Sequence, residues 1–338
     1  MATLKEIALR CGVSTATVSK ALNGYSDIGE DTSRNIRNTA AEMGYFPNAA
    51  ARTLKTNRTN NLGVLFIDAT RSGLEHEYYS SLLENFKSQA ERLGYDITFI
   101  SSNLGNVAMT YLEHCRYRRC DGVVIACIDF NDVQVIELVR SEIPVVTVDH
   151  VFDSCPAILS DNVQGMRDLT DYVLDQGHRK IAFIHGEDTA VTRKRIASFH
   201  QTCRSRGVEV RPEYLREAMY HDPKQSQQQT RILLELPDPP TCILYPDDIA
   251  FIGGMNEFEK NGIKLPADIS AAGFDGVSLS QMLRPRLTTL RQDTKAMGAA
   301  AASRLVKAIE DPLTSFPDHT LIKGDLIEGK TVRDLASS

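Results

Sequence analysis

The sequence contains no tryptophan, no C-x-x-C pair and no apolar run near the length of about 18 residues that crosses a bilayer. Its N-terminus turns polar at once, with Thr3, Lys5 and Glu6, so we expect neither a signal peptide nor a membrane segment. The seven cysteines are odd in number and scattered, which favours reduced thiols over disulfides or a structural zinc site. These absences predict a cytoplasmic protein without a bound metal ion.

The signatures of common enzyme classes are missing as well. The sequence has no G-x-G-x-x-G or Walker loop for a nucleotide and no G-x-S-x-G elbow for a nucleophilic serine. His76 and Glu77 lack the second histidine that the helix of a zinc peptidase requires. We therefore expect a protein that is not an enzyme and that carries no cofactor.

The formal net charge of −6 is unevenly distributed along the chain. Residues 1–60 contain eight Lys or Arg and five Asp or Glu, which gives +3 and leaves −9 for the remainder. A small basic segment in front of an acidic body is typical of a DNA-facing module carried by a soluble domain. The charge pattern therefore favours nucleic acid as a partner of the N-terminal segment.

Three short helices are predicted in that N-terminal segment. The first begins at the capping-box pair Thr3 and Glu6 and ends at Gly12. Ser14 is a suitable N-cap for the second helix, and the third starts near Glu30. Because the first two helices are joined by a short link that contains a glycine, the pattern predicts a helix-turn-helix.

Beyond residue 60 the sequence alternates short β-rich runs with helical segments, several of which end at a glycine. Such alternation is typical of parallel sheets with helices on both faces. About ten strand candidates would overfill one open sheet, so two lobes are predicted. The clearest strand candidates are residues 62–67, 97–101, 123–128, 145–148, 181–184, 242–245 and 269–274.

Six segments together resemble the lac/gal-repressor family, in that family's order and spacing, and the resemblance covers almost the whole chain. The segments are VSTATVSK at 13–20, GYFPNAAARTLK at 44–55, GHRKIA at 177–182, PADIS at 266–270, GFD at 273–275 and LTTL at 287–290. The resemblance implies a transcriptional regulator with an N-terminal all-α helix-turn-helix headpiece. It also implies an α/β two-lobed domain like that of periplasmic binding proteins, with parallel sheets and helices on both faces.

The resemblance divides the chain into a DNA-binding domain at 1–46, a hinge helix and linker at 47–60, and an effector-binding and dimerisation domain at 61–332. In the last of these, the N-lobe is expected at about 61–161 and 291–320, and the C-lobe at about 162–290 and 321–332. Only six residues follow Val332 and they contain no heptads, so we expect no C-terminal tetramerising coiled coil.

In the headpiece, the resemblance assigns base reading to Thr15, Ala16 and Lys20. Lys20 can donate to guanine O6 and N7, and Ala16 can contact a thymine methyl group. The family often has arginine where Lys20 stands, which leaves the preferred base open. The hydroxyl and amide groups suited to phosphates, all of which have helix capping or solvent exposure as the plainer interpretation, are Thr3, Ser14, Thr17, Ser19 and Asn23.

The hinge is too short to form a stable helix alone, since isolated helices under about 12–15 residues are marginal in water. By the resemblance, it folds in the DNA minor groove beside the hinge of a second protomer. Leu54 matches the apolar wedge that opens a central base step, and the alternative is that Leu54 packs on the body. The residues assigned to the hinge contact are Asn48, Ala51, Arg52, Leu54 and Lys55.

In the body, polar residues stand at the ends of predicted strands, where ligands of such sheets bind. The candidate acceptors of paired sugar hydroxyls are Asp149, Asp161, Asp247 and Asp275. By the resemblance, Arg195 is the ligand-binding donor. The aromatic candidates are Tyr78, Tyr79 and His221, with Tyr220 as an alternative to His221. Asx-turns for the aspartates and a surface ion pair for Arg195 are the plainer interpretations.

The resulting hypothesis is a homodimeric repressor of a catabolic operon that binds a pseudo-palindromic operator in double-stranded DNA. A small carbohydrate bound between the lobes is expected to control it. The alternative left open is a corepressor-dependent regulator that senses a purine or a phosphoprotein. A transport-type solute-binding protein is disfavoured, because it needs a signal peptide and has no headpiece. The expected location is the cytoplasm, on the nucleoid when the operator is bound.

Overall fold

The computed structural model describes residues 2–22, 25, 27–46, 58–67 and 73–337. The chain divides into two units, Met1–Thr59 and Asn60–Ser338. The division falls within the linker expected at 47–60. The predicted contacts that lie outside the described residues are Asn23 and the five hinge residues Asn48, Ala51, Arg52, Leu54 and Lys55.

The first unit contains the three predicted helices, α1 (Leu4–Cys11), α2 (Thr15–Leu22) and α3 (Glu30–Glu42). Thr3 and Glu6 form the capping box at the start of α1, and Gly12 ends it with a φ of 67°, which glycine adopts without strain. The three helices bury one small apolar cluster. Its fully buried members are Ile7, Ala8, Val18, Ala21, Ile36 and Ala40.

The second unit follows the predicted strand–helix alternation. From its start the elements are β1 (Asn61–Phe66), α4 (Glu77–Arg92), β2 (Asp96–Phe99), β3 (Asn103–Leu104), β4 (Val107–Ala108), α5 (Tyr111–Arg118), β5 (Gly122–Ala126), α6 (Val133–Val139), β6 (Val145–Val148) and β7 (Ala157–Ser160). The chain continues with α7 (Asn162–Asp175), β8 (Ile181–His185), α8 (Ala190–Ser205), β9 (Leu215–Glu217), α9 (Pro223–Leu234), β10 (Cys242–Leu244), α10 (Asp248–Lys260), β11 (Ser270–Asp275), α11 (Ser278–Met282) and β12 (Thr288–Arg291). It ends with α12 (Thr294–Glu310), β13 (His319–Ile322) and β14 (Asp325–Ile327). Short 3₁₀ helices occupy Gly73–Glu75 and Pro212–Tyr214.

The N-lobe is built on a six-stranded sheet in the order β13-β7-β6-β5-β1-β2, and each of its pairings is parallel. One face packs against α4 and α12 through a cluster that contains Phe86 and Leu305. The other face packs against α5 and α6 through a cluster that contains Leu112 and Leu138. A sheet covered on both faces explains why its central strands are continuously apolar rather than alternating.

The C-lobe repeats this plan with the order β14-β12-β11-β10-β8-β9. Its strands are parallel except β14, which runs antiparallel to β12 at the edge of the sheet. Helices α7 and α8 cover one face around Leu169 and Phe199, while α9 and α10 cover the other around Leu233 and Phe258. The architecture is therefore the two-lobed α/β fold predicted, with one antiparallel edge strand added.

The lobe boundaries differ slightly from the sequence-based expectation. β12 belongs to the C-lobe sheet through Arg291, and β13 belongs to the N-lobe sheet through Ile322, so the crossings fall near 161, 292–293 and 323–324. The C-lobe also extends past 332, because the Leu335 N–H donates to the Gln176 carbonyl at 2.7 Å. Strand pairing sets these limits, and pairing between strands that are distant in sequence cannot be predicted from local sequence patterns.

No helix in the described ranges combines the length and apolar character of a membrane span. All seven cysteines lie in those ranges, and none of them forms a disulfide.

Candidate functional site

The exposed face of α2 carries the residues predicted to read bases. Val18 and Ala21 point into the core of the first unit, whereas Thr15 and Ala16 are exposed and Lys20 is half-buried. Residues 16 and 20 are one helical turn apart, so they share the side of α2 opposite the core. This geometry is compatible with a recognition helix that presents its N-terminal residues to a groove.

Lys20 has an intramolecular partner on this face. Its ammonium group forms an ion pair with the Asp27 carboxylate, which precedes α3. The hydrogen bond from Lys20 to Asp27 raises the pKa of the lysine. The base-reading candidate is therefore oriented by a neighbouring carboxylate in the protein without DNA.

The predicted phosphate contacts are engaged in local hydrogen bonds. The Thr3 hydroxyl accepts from the Glu6 N–H at 3.3 Å, and the Ser14 hydroxyl accepts from the Thr17 N–H at 3.0 Å. The hydroxyls of Ser14 and Thr17 are also 2.8 Å apart. Thr3 and Ser14 thus cap the helices α1 and α2, and Ser19 is half-buried on α2. Their contact with phosphates stays a prediction.

In the second unit, four of the eight predicted effector residues meet between the lobes. Asp149 follows β6 of the N-lobe, Asp275 ends β11 of the C-lobe, and Arg195 lies on α8. Tyr78 completes the set from the first turn of α4 and is buried. We call this group the cleft cluster.

Arg195 is buried at the centre of the cleft cluster, with only 4% of its side chain exposed. Its Nε donates to the Asn162 side chain at 2.7 Å, and its Nη1 donates to the Pro246 carbonyl at 2.8 Å. The guanidinium lies 3.6 Å from the centre of the Phe274 ring, within cation–π distance. The plainer interpretation of Arg195 as a surface ion pair is wrong, because the side chain is enclosed.

Asp275 joins three groups that face the cleft. Its Oδ1 accepts from Gln292 Nε2 at 2.6 Å and lies 4.0 Å from Arg195 Nη2, and its Oδ2 lies 3.8 Å from His221 Nε2. Burial acts to raise the pKa of Asp275, but the contacts with His221 and Arg195 outweigh burial and lower it. The carboxylate is thus held in its charged form.

Asp149 is held from two sides within the N-lobe. Its Oδ1 accepts from the Ser160 N–H at 2.8 Å, and its Oδ2 accepts from the Tyr78 hydroxyl at 3.1 Å. Burial raises the pKa of Asp149, and these two hydrogen bonds offset part of the rise. Burial likewise raises the pKa of Tyr78, so its hydroxyl remains a donor at neutral pH.

His221 and Asp247 connect the C-lobe side of the cleft to α10. The His221 N–H donates to Asp247 Oδ2 at 2.9 Å, while Asp247 Oδ1 accepts from the Ala250 N–H at 2.7 Å and caps α10. Burial raises the pKa of the Asp247 carboxyl group. Asp247 therefore fixes His221 in place and starts a helix with the same carboxylate.

Backbone strain gathers at this cleft. Asp149, His221 and Asp275 have φ values of 58°, 55° and 97°, in the left-handed region that residues other than glycine rarely adopt. Strain of this kind persists only where surrounding structure holds it, and it concentrates at functional sites. The observation marks the cleft independently of any motif.

Aromatic rings form a wall across the two lobes. The His76 ring of the N-lobe lies 3.5 Å from the His221 ring of the C-lobe, measured between centroids, and 4.5 Å from the Tyr79 ring. A second contact between the lobes is the hydrogen bond from the Ser278 N–H to Glu77 Oε1 at 2.6 Å. The lobes of this structure are therefore in direct contact at the mouth of the cleft.

Asp161 has a different role among the predicted effector residues. Its side chain accepts from the Gln164 N–H at 3.0 Å and caps α7. Among the described residues, the hydrogen bonds of Arg195 and Asp275 go to other groups. Asp161 is thus accounted for as a helix cap at the crossing between the lobes.

Each of the two units contains a segment that matches the model of a known protein family. Residues 3–48 match the model of bacterial regulatory proteins of the lacI family, and residues 170–332 match that of the periplasmic binding protein-like domain. The HTH-type transcriptional repressor PurR of Vibrio campbellii is 30% identical over 318 residues, which cover 92% of this chain and 93% of that protein. The chain belongs to the lacI family. It is a DNA-binding transcriptional regulator of that family.

Solved structures of similar proteins extend over the whole lacI-family chain. The lac repressor dimer bound to operator and the anti-inducer ONPF superposes with a TM-score of 0.77 at 25% identity, covering 98% of this chain and 99% of that one. The transcriptional regulator CelR in complex with cellobiose superposes with a TM-score of 0.71 at 20% identity, covering 98% and 100%. The similarity to CelR supports the fold assignment alone.

The structure of this lacI-family chain adds cleft residues that sequence reasoning missed. Gln292 is buried on a crossing segment, and while its Nε2 binds Asp275, its Oε1 has no hydrogen-bond partner among the described residues. Thr192 was also missed, and its hydroxyl lies 2.9 Å from that of Tyr220, the predicted alternative to His221, beside Arg195. Gln292 could have been found, because it is a polar residue that directly follows a C-lobe strand. At such positions only aspartates were considered as candidates.

Asp248 is a buried carboxyl group beneath the cleft. Its Oδ2 accepts from the Val277 N–H and from Ser280 Oγ, and its Oδ1 accepts from Thr289 Oγ1 at 2.6 Å. Ser280 Oγ is also 2.8 Å from the Val277 carbonyl, and one hydroxyl proton cannot serve both acceptors. A protonated Asp248 can donate to Ser280, which then donates to Val277.

Asp248 predicts a pH-dependent stability. Burial raises its pKa well above the ordinary aspartate value, so the folded state takes up its proton at a higher pH than the unfolded chain does. Its contribution to stability is complete below about pH 4 and is lost as the pH rises through the raised pKa. We expect Asp248→Asn to flatten this decline when free energies of unfolding are compared from pH 4 to 8. Parallel curves for the two proteins would contradict a raised pKa.

Proposed function

We propose that this protein is a homodimeric repressor of a catabolic operon whose binding to a pseudo-palindromic operator is controlled by a small carbohydrate in the cleft. The observation that carries the proposal is the cleft cluster, in which Asp149, Asp275, Arg195 and Tyr78 converge between two lobes. Its place of action is the cytoplasm, where the operator lies.

The chemistry of the cleft suits a neutral polyhydroxyl ligand. Carboxylates accept from paired hydroxyl groups, and the guanidinium donates to ring or hydroxyl oxygens. The rings of Tyr79 and His221 can cover the apolar face of a sugar. The carboxyl groups of Asp149 and Asp275 lie in the cleft beside the guanidinium of Arg195, and this excess of acidic groups disfavours a phosphorylated ligand.

A purine corepressor is the second candidate. The PurR relatives favour it by name, and the aromatic wall of His76, Tyr79 and His221 can stack on a flat base. A purine offers fewer donors than a sugar for the carboxylates of Asp149 and Asp275. We therefore place it second, and the phosphoprotein alternative has no cleft observation in its favour.

Control of DNA binding follows from the contacts between the lobes. A ligand that binds Asp149 on one lobe and Asp275 on the other changes the free energy of lobe closure. It shifts the DNA-binding equilibrium only by its difference in affinity for the two arrangements, typically about 1–3 kcal/mol. In the repressor we propose, the hinge residues around Leu54 transmit this change to the operator.

A thermal-shift screen of the purified protein tests the proposal, with neutral sugars, sugar phosphates, nucleosides and purine bases as probes. A ligand at about 100 times its Kd stabilises the second unit by about 2.7 kcal/mol. A neutral sugar that raises Tm and changes operator affinity supports the proposal. A purine hit favours the second candidate, and absence of any hit argues against a small-molecule effector.

A further inference from the structure

The ion pair of Lys20 and Asp27 is not needed to stabilise the first unit. The two side chains are 45% and 53% exposed, and an exposed ion pair contributes about 0–1 kcal/mol to stability. The core of the first unit is formed by other residues, among them Val18 and Ala21. The pairing of these two charged groups therefore contributes little to folding.

Asp27 lies beside the recognition face through its ion pair with Lys20. The Tyr25 N–H donates to the Lys20 carbonyl at 3.1 Å, which places Tyr25 beside the last turn of α2. Asp27 then meets Lys20 on the face that also carries Ala16. The result is a hydrogen-bond donor and an acceptor side by side on the surface predicted to enter the major groove.

A G·C base pair presents the matching pattern in that groove. Guanine offers the acceptors N7 and O6, and cytosine offers its N4 amino donor next to O6. O6 and N4 are hydrogen-bonded to each other, so they lie about 3 Å apart, the spacing of a paired ammonium and carboxylate. In an A·T pair the amino donor lies between two acceptors, N7 and O4, which would repel a carboxylate placed on it.

We propose that Lys20 and Asp27 act as one unit that reads a single G·C base pair. Lys20 donates to guanine O6 and N7, and Asp27 accepts from cytosine N4. The inference rests on the proposed base-reading role of Lys20. It goes beyond that role because it makes Asp27 a specificity-determining residue and settles which base pair the lysine prefers.

The pair also accounts for a carboxylate on a DNA-binding surface. The negative charge of Asp27 repels phosphates and so lowers affinity for every DNA sequence. Only the correct base pair offsets this loss, through the hydrogen bond from cytosine N4 to Asp27. Removing the carboxylate should therefore strengthen binding to unrelated DNA while weakening discrimination. A group that only neutralised Lys20 would lower affinity without affecting discrimination.

The test is a titration of the full-length protein against a selected operator and its single base-pair variants, at one fixed salt concentration. Asp27→Ala and Lys20→Met should lose discrimination at the same G·C pair, each by about tenfold or more, and the double variant should lose less than the product of the two. The matched control is Asp31→Ala, since Asp31 is an exposed acidic residue on α3 whose partner, Arg34, lies 3.6 Å away. The control should leave discrimination unchanged.

The outcomes separate the inference from the proposed function. If Asp27→Ala strengthens binding to all sequences equally and keeps full discrimination, Asp27 is only a source of repulsion and the inference is wrong. If Lys20→Met also keeps full discrimination, the base-reading role of Lys20 falls with it. If the unmodified protein shows no preference among sequences, the proposed function itself fails.

Discussion

Asp275→Asn is expected to weaken binding of the cleft ligand by about 100-fold and to leave operator binding without ligand within about threefold of the original. Asn presents one acceptor oxygen where the carboxylate presents two, and it removes the negative charge that faces Arg195 and His221. Hydrogen bonds to a charged group are worth about 1.5–3 kcal/mol each, and 100-fold corresponds to about 2.7 kcal/mol. Asparagine is preferred to alanine because it tolerates the φ of 97° at this position.

The measurement is calorimetric titration of the sugar or purine found in the thermal-shift screen. Asp325→Asn is the matched control, because Asp325 is an exposed carboxylate paired with Arg291 at 3.1 Å on the edge of the same sheet. It should bind the ligand as the original protein does. If Asp275→Asn bound within threefold of the original, the ligand would lie elsewhere and the cleft cluster would be structural.

Arg195→Ala is expected to lower the stability of the second unit by about 3–5 kcal/mol. The substitution leaves Asn162 Oδ1 and the Pro246 carbonyl without their donor and leaves Asp275 without its nearest guanidinium, all in a buried site. It also removes the packing of the guanidinium on the Phe274 ring. For a domain of this size we expect Tm to fall by about 5–15 °C.

Thermal unfolding followed by circular dichroism measures the effect. Arg193→Ala is the control, because Arg193 lies on the same helix with 65% of its side chain exposed and pairs with Asp188. Its Tm should change by less than about 2 °C. Equal Tm values for the two variants would show that Arg195 is not the structural centre of the cleft.

The headpiece could be predicted from the sequence because its signals are local. The capping box of Thr3 and Glu6, the left-handed glycine at position 12 and the short link to α2 each act within a few residues. The family resemblance then supplied a prediction that local signals do not contain, namely which face of α2 is expected to meet DNA. The partner of Lys20 was missed, because Asp27 is seven residues away and reaches it only through the turn after α2.

Only some of the cleft residues could be predicted from the sequence, as its carboxylates illustrate. Asp149 and Asp275 could be found because the carboxyl ends of parallel strands meet at one edge of a sheet. Asp161 and Asp247 also follow strands, yet each caps a helix. In the sequence, an aspartate that caps a helix cannot be distinguished from one that binds a ligand. Gln292 follows a C-lobe strand as the aspartates do and was missed because only aspartates were considered there. Asn162 gave no local signal, because its contact with Arg195 depends on how two helices of the C-lobe pack.

The interrupted course of the N-lobe determines the order in which the protein can fold during synthesis. Its core includes Met297, Ala301 and Leu305 of α12, and its sheet is completed by β13, all made after the C-lobe segment at 162–291. At about 5–20 residues per second, the ribosome needs roughly 6–26 s for that segment. Through this interval the apolar side of α4, with Leu82 and Phe86, has no covering helix. The lobe that is begun first therefore cannot complete its core until most of the other lobe has been made, and its apolar side chains need protection from aggregation during that time.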